Sequence, residues 1–505
     1  MAQLTYTKTF ENKGNLQNVF IPTNKEWQST EKQNLSVIES GKEGILFENI
    51  IYSINNAQKM ICLQSFLIQD TKIIDALLDA KQNRGVKIFV MDSAEARLSN
   101  SAFEEDESFA TKDYKKMLAE KFKNNFVHRQ AKNLHAKFIL IDPKTNPQGY
   151  LFTGNFNKKP FFENPELAVK LSEEQVEELF KVFTYHFWEY TTDEQTASEQ
   201  FDKVKPTGEF IAPKLKNILI TSPDNNLSNL KNTLIKAVRK TKKEILFSTF
   251  GFDINHELSQ EILSKLNSGT KVTVFCRPRE KAIKSNIEIL AQNGAEVFCH
   301  PLIHAKSLII DNKQAFIFSA NFENHGLDTG FETGVKLNKN QISDLLNIYK
   351  SWENTFPYQF VAKSPILKTN KYFNFGNKGR IEEKRVTVIE TKSNNKSIIR
   401  VEDLINLFEI KEPKQFTTQK IIIEHVANLK EFTEDYKNIE NINSGIDIIK
   451  YEKVVQKKTK KKPQIIENQE AVLLTISKIN DIQKLINILN DDYVGINIFA
   501  KNENK

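Results

Sequence analysis

The sequence predicts an α/β protein of two pseudo-symmetric halves, each an α/β sandwich, with a small α+β domain behind them. Three observations point there. "AQKMICLQSFLIQDTKIIDALLDAKQNRGVKIFVM" (57–91) is answered by "TKKEILFSTFGFDINHELSQEILSKLNSGTKVTVFC" (241–276), "NLHAKFILID" (133–142) is answered by "LIHAKSLIID" (302–311), and after residue 360 neither pattern returns. An internal repeat decides the architecture before any single element does.

Both long stretches read as strand, short loop, amphipathic helix, glycine, strand. Gly85 and Gly269 lie 184 residues apart, each closing a helix with apolar residues at three- and four-residue spacing. His135 and His304 lie 169 apart, so the first copy carries about fifteen extra residues, filled by the acidic, helix-like "AFEEDESFATKDYKKMLAEKF" (102–122). Strands alternating with helices predict largely parallel, right-handed βαβ units. Each copy then closes in a helix, at 172–191 and 338–356, whose Trp and Phe spacing is that of ordinary core packing.

These readings divide the chain into an N-terminal segment (1–34), a first half (35–195), a linker (196–214), a second half (215–360), a basic linker (361–414) and a C-terminal domain (415–505). Within the last, strand, helix, strand is spelled twice, which predicts a ferredoxin-like βαββαβ domain at about 415 to 500.

With 505 residues, 39% apolar and 27% charged, the chain reads as globular and long enough for two to four domains. "MAQLTYTKTFENKGN" lacks the layout of a secretory signal and no stretch approaches a membrane span, so a cytoplasmic protein is expected. Cys62, Cys276 and Cys299 have no metal-type spacing and read as reduced core residues. The net charge of +7 sits in one place: residues 361–400 carry ten Lys and Arg against three Glu.

The short motif carries the chemistry. In an extended chain side chains alternate, so His135 and Lys137 share one face, as do His304 and Lys306, while Asp142 and Asp311 fall on the other. Thirteen residues after Asp142 comes Asn155, ten after Asp311 comes Asn321, and eleven beyond each Asn stands a glutamate, Glu166 and Glu332. A lone histidine among apolar residues is ordinarily a satisfied core residue. Here, of eight histidines, only two have Lys at +2 and Asp at +7, and both fall at equivalent places in a repeat.

The family resemblance drawn below implies a phosphodiester as the bond at stake, and such a bond needs a nucleophile, an acid for the leaving oxygen and positive donors for the non-bridging oxygens. Two imidazoles and two ammonium groups supply these. One histidine must be neutral and the other protonated, as coupled groups near neutral pH allow. The Asn155 and Asn321 amides would help hold the phosphate, and Glu166 and Glu332 would fix ring tautomer and orientation.

Written H-x-K-x4-D, with Asn and an acidic residue following, the pattern resembles the phospholipase D (HKD) superfamily over roughly residues 35–360. The resemblance implies two halves packed about a pseudo-twofold axis with both motifs in one cleft. It further implies a phosphohistidine intermediate, no required metal, no cofactor, His135 as first nucleophile, and mainly structural roles for Asp142 and Asp311. Thr153 and Ser319 stand where the family usually has Ser and would add hydroxyl donors to the phosphate. Phe152 and Phe318 stand where it commonly has Gly, a departure made in both copies.

For the substrate, a nuclease acting on DNA or RNA is the leading expectation. Its basis is the aromatic-and-cation stretch "KTNKYFNFGNKGR", the run "KKTKKK" (457–462) and a likeness of the turns to prokaryotic HKD nucleases, some of them in phage defence. A phospholipase D or cardiolipin synthase-like phospholipid enzyme is the alternative. A third reading is a non-catalytic scaffold whose C-terminal domain recruits a protein partner.

Overall fold

The computed structural model describes residues 3–6, 15–95, 111–365, 371–376, 379–385, 401–408, 417–424, 432, 445–456, 465–478, 480–492 and 496–501. The chain forms two compact units: Pro22–Val361 with Phe375–Ile381, and Met1–Ile21 with Ala362–Asn374 and Glu382–Lys505.

In the larger unit the repeat becomes two sheets with the same strand order. The first runs Val127–Ala131, Lys87–Ser93, Met60–Ser65, Phe138–Ile141, Gln148–Phe152, Leu167–Lys170, Val37–Glu39. The second runs Glu296–Cys299, Lys271–Cys276, Glu244–Thr249, Ser307–Ile310, Gln314–Phe318, Glu332–Lys336, Ile218–Thr221. The doubled α/β sandwich is therefore as expected, but the largely parallel sheet is not. Only the first three strands of each series are parallel, and the other pairings are antiparallel. Chain length explains the difference: the strand after each histidine returns through a short turn, too brief for a parallel crossover. In the first half the sheet also gains the hairpin Asp193–Gln195 and Phe201–Lys203, so ladder pairing extends into the stretch read as linker.

Helices Glu173–Glu189 and Lys339–Thr355 start alike: Ser172 with Gln175, and Asn338 with Gln341, each form a reciprocal capping box that satisfies two otherwise orphaned N–H groups. Their apolar faces meet both sheets in one core, where Phe138, Leu179 and Phe183 of the first half cluster with Phe275, Leu345 and Trp352 of the second. Burying each such side chain stabilises by about 1.5–3 kcal/mol, so the halves are welded by the same residues that close each copy. The three cysteines are buried free thiols, Cys276 and Cys299 lying 3.6 Å apart on adjacent strands. The extra element of the first half is a helix, Thr111–Met117, continuing as a wider turn over Leu118–Phe122; residues 96–110 lie outside the described residues.

Phe152 and Phe318 find room because the cross-strand positions are small: Phe152 faces Ala168 and Phe318 faces Gly334. A β-carbon on Gly334 would lie 2.6 Å from the Phe318 β-carbon.

The smaller unit is an antiparallel sheet ordered Gln3–Tyr6, Ile496–Lys501, Gln419–Glu424, Ile465–Ile476, Ile446–Gln456. Its core holds Ile421, Ile423, Val472, Leu474 and, from helix Asn480–Asp492, Ile482, Leu485 and Leu489. Most of the basic stretch 361–400, the run at 457–462, and all but Phe432 of the first helix expected in this domain lie outside the described residues.

Candidate active site

Both H-x-K triplets lie in extended chain immediately ahead of a strand, since the ladders begin only at Phe138 and Ser307. Each strand then ends in an aspartate with left-handed backbone, Asp142 at φ 46° and Asp311 at φ 52°. That turn aims the carboxylate back at the start of the neighbouring strand. Asp142 accepts from the N–H groups of Gln58, Lys59 and Met60 at 2.7–2.8 Å, and Asp311 from those of Lys242, Lys243 and Glu244. These aspartates sit at the strand end opposite the histidines and tie strand to strand.

The two glutamates cross over. His135 donates its Nδ1–H to Glu332 Oε1 at 2.8 Å, and His304 donates its Nδ1–H to Glu166 Oε1 at 2.8 Å. Each imidazole is thus oriented by a carboxylate from the other half, which fixes the proton on Nδ1 and leaves Nε2 as the reacting atom. Backbone contacts follow the same exchange: His135 N–H donates to the Phe331 carbonyl and His304 N–H to that of Pro165. Lys306 Nζ stands 2.9 Å from both ring nitrogens of His304 and 3.4 Å from the Thr153 carbonyl of the first half. Lys137 is fully buried and donates to the His135 carbonyl. Both lysines act electrostatically on His135 and on Glu166. The motifs written 169 residues apart therefore share one site.

The resemblance gives Thr153 and Ser319 hydroxyls for the phosphate; in the structure those hydroxyls are engaged by the glutamates. Thr153 Oγ1 donates to Glu166 Oε2 at 2.6 Å and Ser319 Oγ to Glu332 Oε2, while each accepts an N–H from the next strand. They hold the glutamates still. Asn155 and Asn321 are partly buried, and the amide oxygen of each is buried without a hydrogen-bond partner; Asn321 Nδ2 donates to Glu323 at 3.1 Å.

The two halves are not electrostatically alike. Burial, aided by Lys137 and Lys306 and opposed by Glu332, lowers His135 to about 4. Burial would raise Glu332, but His135, Lys137 and Ser319 together hold it below the ordinary carboxylate value. Glu166 goes the other way: burial raises it despite Lys306, Thr153 and Arg277. His135 also keeps 20% of its side chain exposed against 8% for His304.

Sequence reasoning missed two aromatic rings and two arginines. Phe66 meets the His135 ring edge-on at 5.9 Å and Phe250 meets His304 at 4.7 Å. Arg277 and Arg279 lie over Phe250 at 4.9 and 4.0 Å. The rings were within reach, because "QSF" and "STF" occupy matching places in the repeat.

A family model described as "Cardiolipin synthase, PLD-like domain" matches residues 50–190 and 234–352, just over half of the chain. Among curated proteins, the major cardiolipin synthase ClsA of Bacillus subtilis (strain 168) is 23% identical over 354 residues, 66% of this chain and 71% of that protein. A cardiolipin synthase of Clostridium perfringens (strain SM101 / Type A) is 23% identical over 343 residues, 62% of this chain and 67% of that protein. Of solved structures, phosphatidylserine synthase from Haemophilus influenzae Rd KW20 superposes with a TM-score of 0.52 at 13% identity, covering 68% of this chain and 92% of that one, a likeness of fold.

These findings correct the nuclease expectation, and with it DNA or RNA as partner and a place in phage defence. The matched family and curated relatives carry the name of a phospholipid enzyme, which was the alternative. The error has a physical root: the doubled motif recognises a phosphodiester, and that group is common to nucleic acids and phospholipids. By its matched family model and doubled motif, the chain belongs to the phospholipase D superfamily, in the PLD-like domain family of cardiolipin synthase.

Proposed function

We propose that this protein is a phosphodiesterase-type transferase of the cardiolipin synthase kind, moving a phosphatidyl group from one phospholipid to an alcohol through a phosphohistidine. The observation that carries the reading is the pair of crossed His–Glu contacts in one site, each at 2.8 Å, in a chain of this family.

His135 is the nucleophile. Held near 4, it is neutral at physiological pH, its Nδ1–H is committed to Glu332, and its Nε2 lone pair is free to attack phosphorus. As the P–N bond forms, the P–O bond to the headgroup breaks and His304 gives its proton to the leaving oxygen. For this step His304 carries its transferable proton on Nε2, while Glu166 behind it accepts the Nδ1–H and steadies the ring. In the second step the acceptor hydroxyl returns a proton to His304 and its oxygen displaces His135 from phosphorus. Lys137, Lys306, Asn155 and Asn321 steady the non-bridging oxygens in both steps. Among the described residues no helix is long and apolar enough to cross a membrane.

The test is incubation of the purified chain with phosphatidylglycerol vesicles. The expected product has two phosphatidyl groups joined by one glycerol, with free glycerol released, and both vanish in His135→Ala. Wild-type protein that neither transfers nor hydrolyses phospholipid sinks the reading.

A further inference from the structure

The two sides of the site, related by the repeat, differ in charge. Ser65 pairs with Asp92 and Thr249 with Cys276 in matching registers, which aligns Ser93 with Arg277 and Glu95 with Arg279. In the first half Glu95 accepts from the N–H of Asn133, just ahead of the His135 motif, at 3.0 Å and from Ser93. In the second half Arg279 lies flat over Phe250, and among the described residues it makes no ion pair.

Beside it is a cleft of about 600 Å³ whose lining includes Arg279, Lys281, Asn286, His325, Asp253 and Glu323. Two chains of contact join this cleft to the reacting groups. Arg279 stacks on Phe250, whose ring meets His304 at 4.7 Å, and Glu323 accepts from Asn321 at 3.1 Å. The lining is mixed. Arg279 and Lys281, without carboxylate partners among the described residues, suit a phosphate, while the carboxylates suit hydroxyl groups, and a ligand carrying both would satisfy it. Gly251 keeps the floor open, for a β-carbon there would lie 2.7 Å from Glu323 Oε1.

We propose that this cleft is the subsite for the glycerol phosphate headgroup of the acceptor lipid, with Arg279 and Lys281 on its phosphate and Glu323 and Asp253 on its hydroxyls. The assignment rests on the phosphatidyl-transfer reading above and adds to it which half receives the acceptor. His304, the group that takes the acceptor's proton, is the histidine joined to the cleft. The cleft's cations also select an anionic acceptor over a neutral alcohol.

Calorimetric titration of the full chain with sn-glycerol 3-phosphate tests it, with inorganic phosphate as a parallel arm. Saturable binding is expected, weakened at least tenfold in Arg279→Ala and clearly in Lys281→Ala, and partly kept in the charge-preserving Arg279→Lys, which also controls for folding. Glu323→Gln weakens glycerol phosphate more than phosphate. In vesicle assays Arg279→Ala lowers the ratio of transfer to hydrolysis about tenfold.

No glycerol phosphate binding by the wild type, equal binding by Arg279→Ala, or phosphate binding as tightly as glycerol phosphate would each overturn the assignment. If binding depends on Arg279 but the wild type turns over no phospholipid, the transfer reading has failed and the headgroup subsite stands. If lipid is turned over but binding ignores Arg279, the reverse holds.

Discussion

Glu332 lies in the second half of the chain, yet its Oε1 accepts the Nδ1–H of His135, in the first half, at 2.8 Å. Burial presses His135 down to about 4, and Glu332 is the chief group resisting that. Replacing it with Gln keeps an acceptor but removes the charge. Glu332→Gln is expected to lower kcat by about 10²–10⁴. Since the lost charge had been raising His135, the acid limb of the pH–rate profile moves to lower pH, a displacement that mere loosening of the fold would not produce.

The division of labour between the histidines is open to trapping. Reactions with phosphorus-labelled phospholipid, quenched in alkaline detergent where a phosphohistidine P–N bond survives, should leave label on His304→Ala protein, whose nucleophile is intact but whose acid is gone, and none on His135→Ala. Label on the His135→Ala protein would reverse the roles.

Stability should fall in mild acid. Burial lowers His186 and His300 to about 3 and His135 to about 4, all from an ordinary 6.5. Between those values the unfolded chain binds protons that the folded chain refuses, so stability is full above pH 6.5 and declines as pH drops through the window. His186 touches Ser222 Oγ at 2.9 Å through Nε2, a contact that Gln can replace. Melting of His186→Gln, compared at pH 7.5 and pH 5, is expected to show a smaller loss than wild type; an equal loss refutes the assignment.

Asp142 accepts from three backbone N–H groups and is buried, so Asp142→Asn sets an amide N–H against donors. A loss of about 1–3 kcal/mol in urea unfolding is expected. Asp311 makes the corresponding contacts in a more exposed place, so Asp311→Asn costs less. Equal effects would mean that burial does not govern the difference.

Much of the fold was legible because the chain states it twice. Gly85 and Gly269 do end helices in left-handed conformation, at φ 70° and 91°. The mixed sheet was misread because strand and helix alternate in only the first part of each repeat, and the hairpins after Asp142 and Asp311 set strand direction by turn length. Pairing of histidine with glutamate was legible as chemistry but not as geometry. Spacing places Glu166 near Asn155 in sequence, and only tertiary packing sends it to His304. The substrate class was not legible from the motif, because the phosphodiester it addresses occurs in nucleic acids and phospholipids alike. Arg279 escaped notice for another reason: it stands where the two copies differ, and a search for repetition passes over what is unrepeated.

The exchange of glutamates bears on how such a chain can change. Neither half can lose its glutamate alone, for a change at Glu166 would be felt at His304 and one at Glu332 at His135. The two halves therefore stand or fall together at these positions, whereas Glu95 and Arg279, which do not cross between them, differ without that constraint.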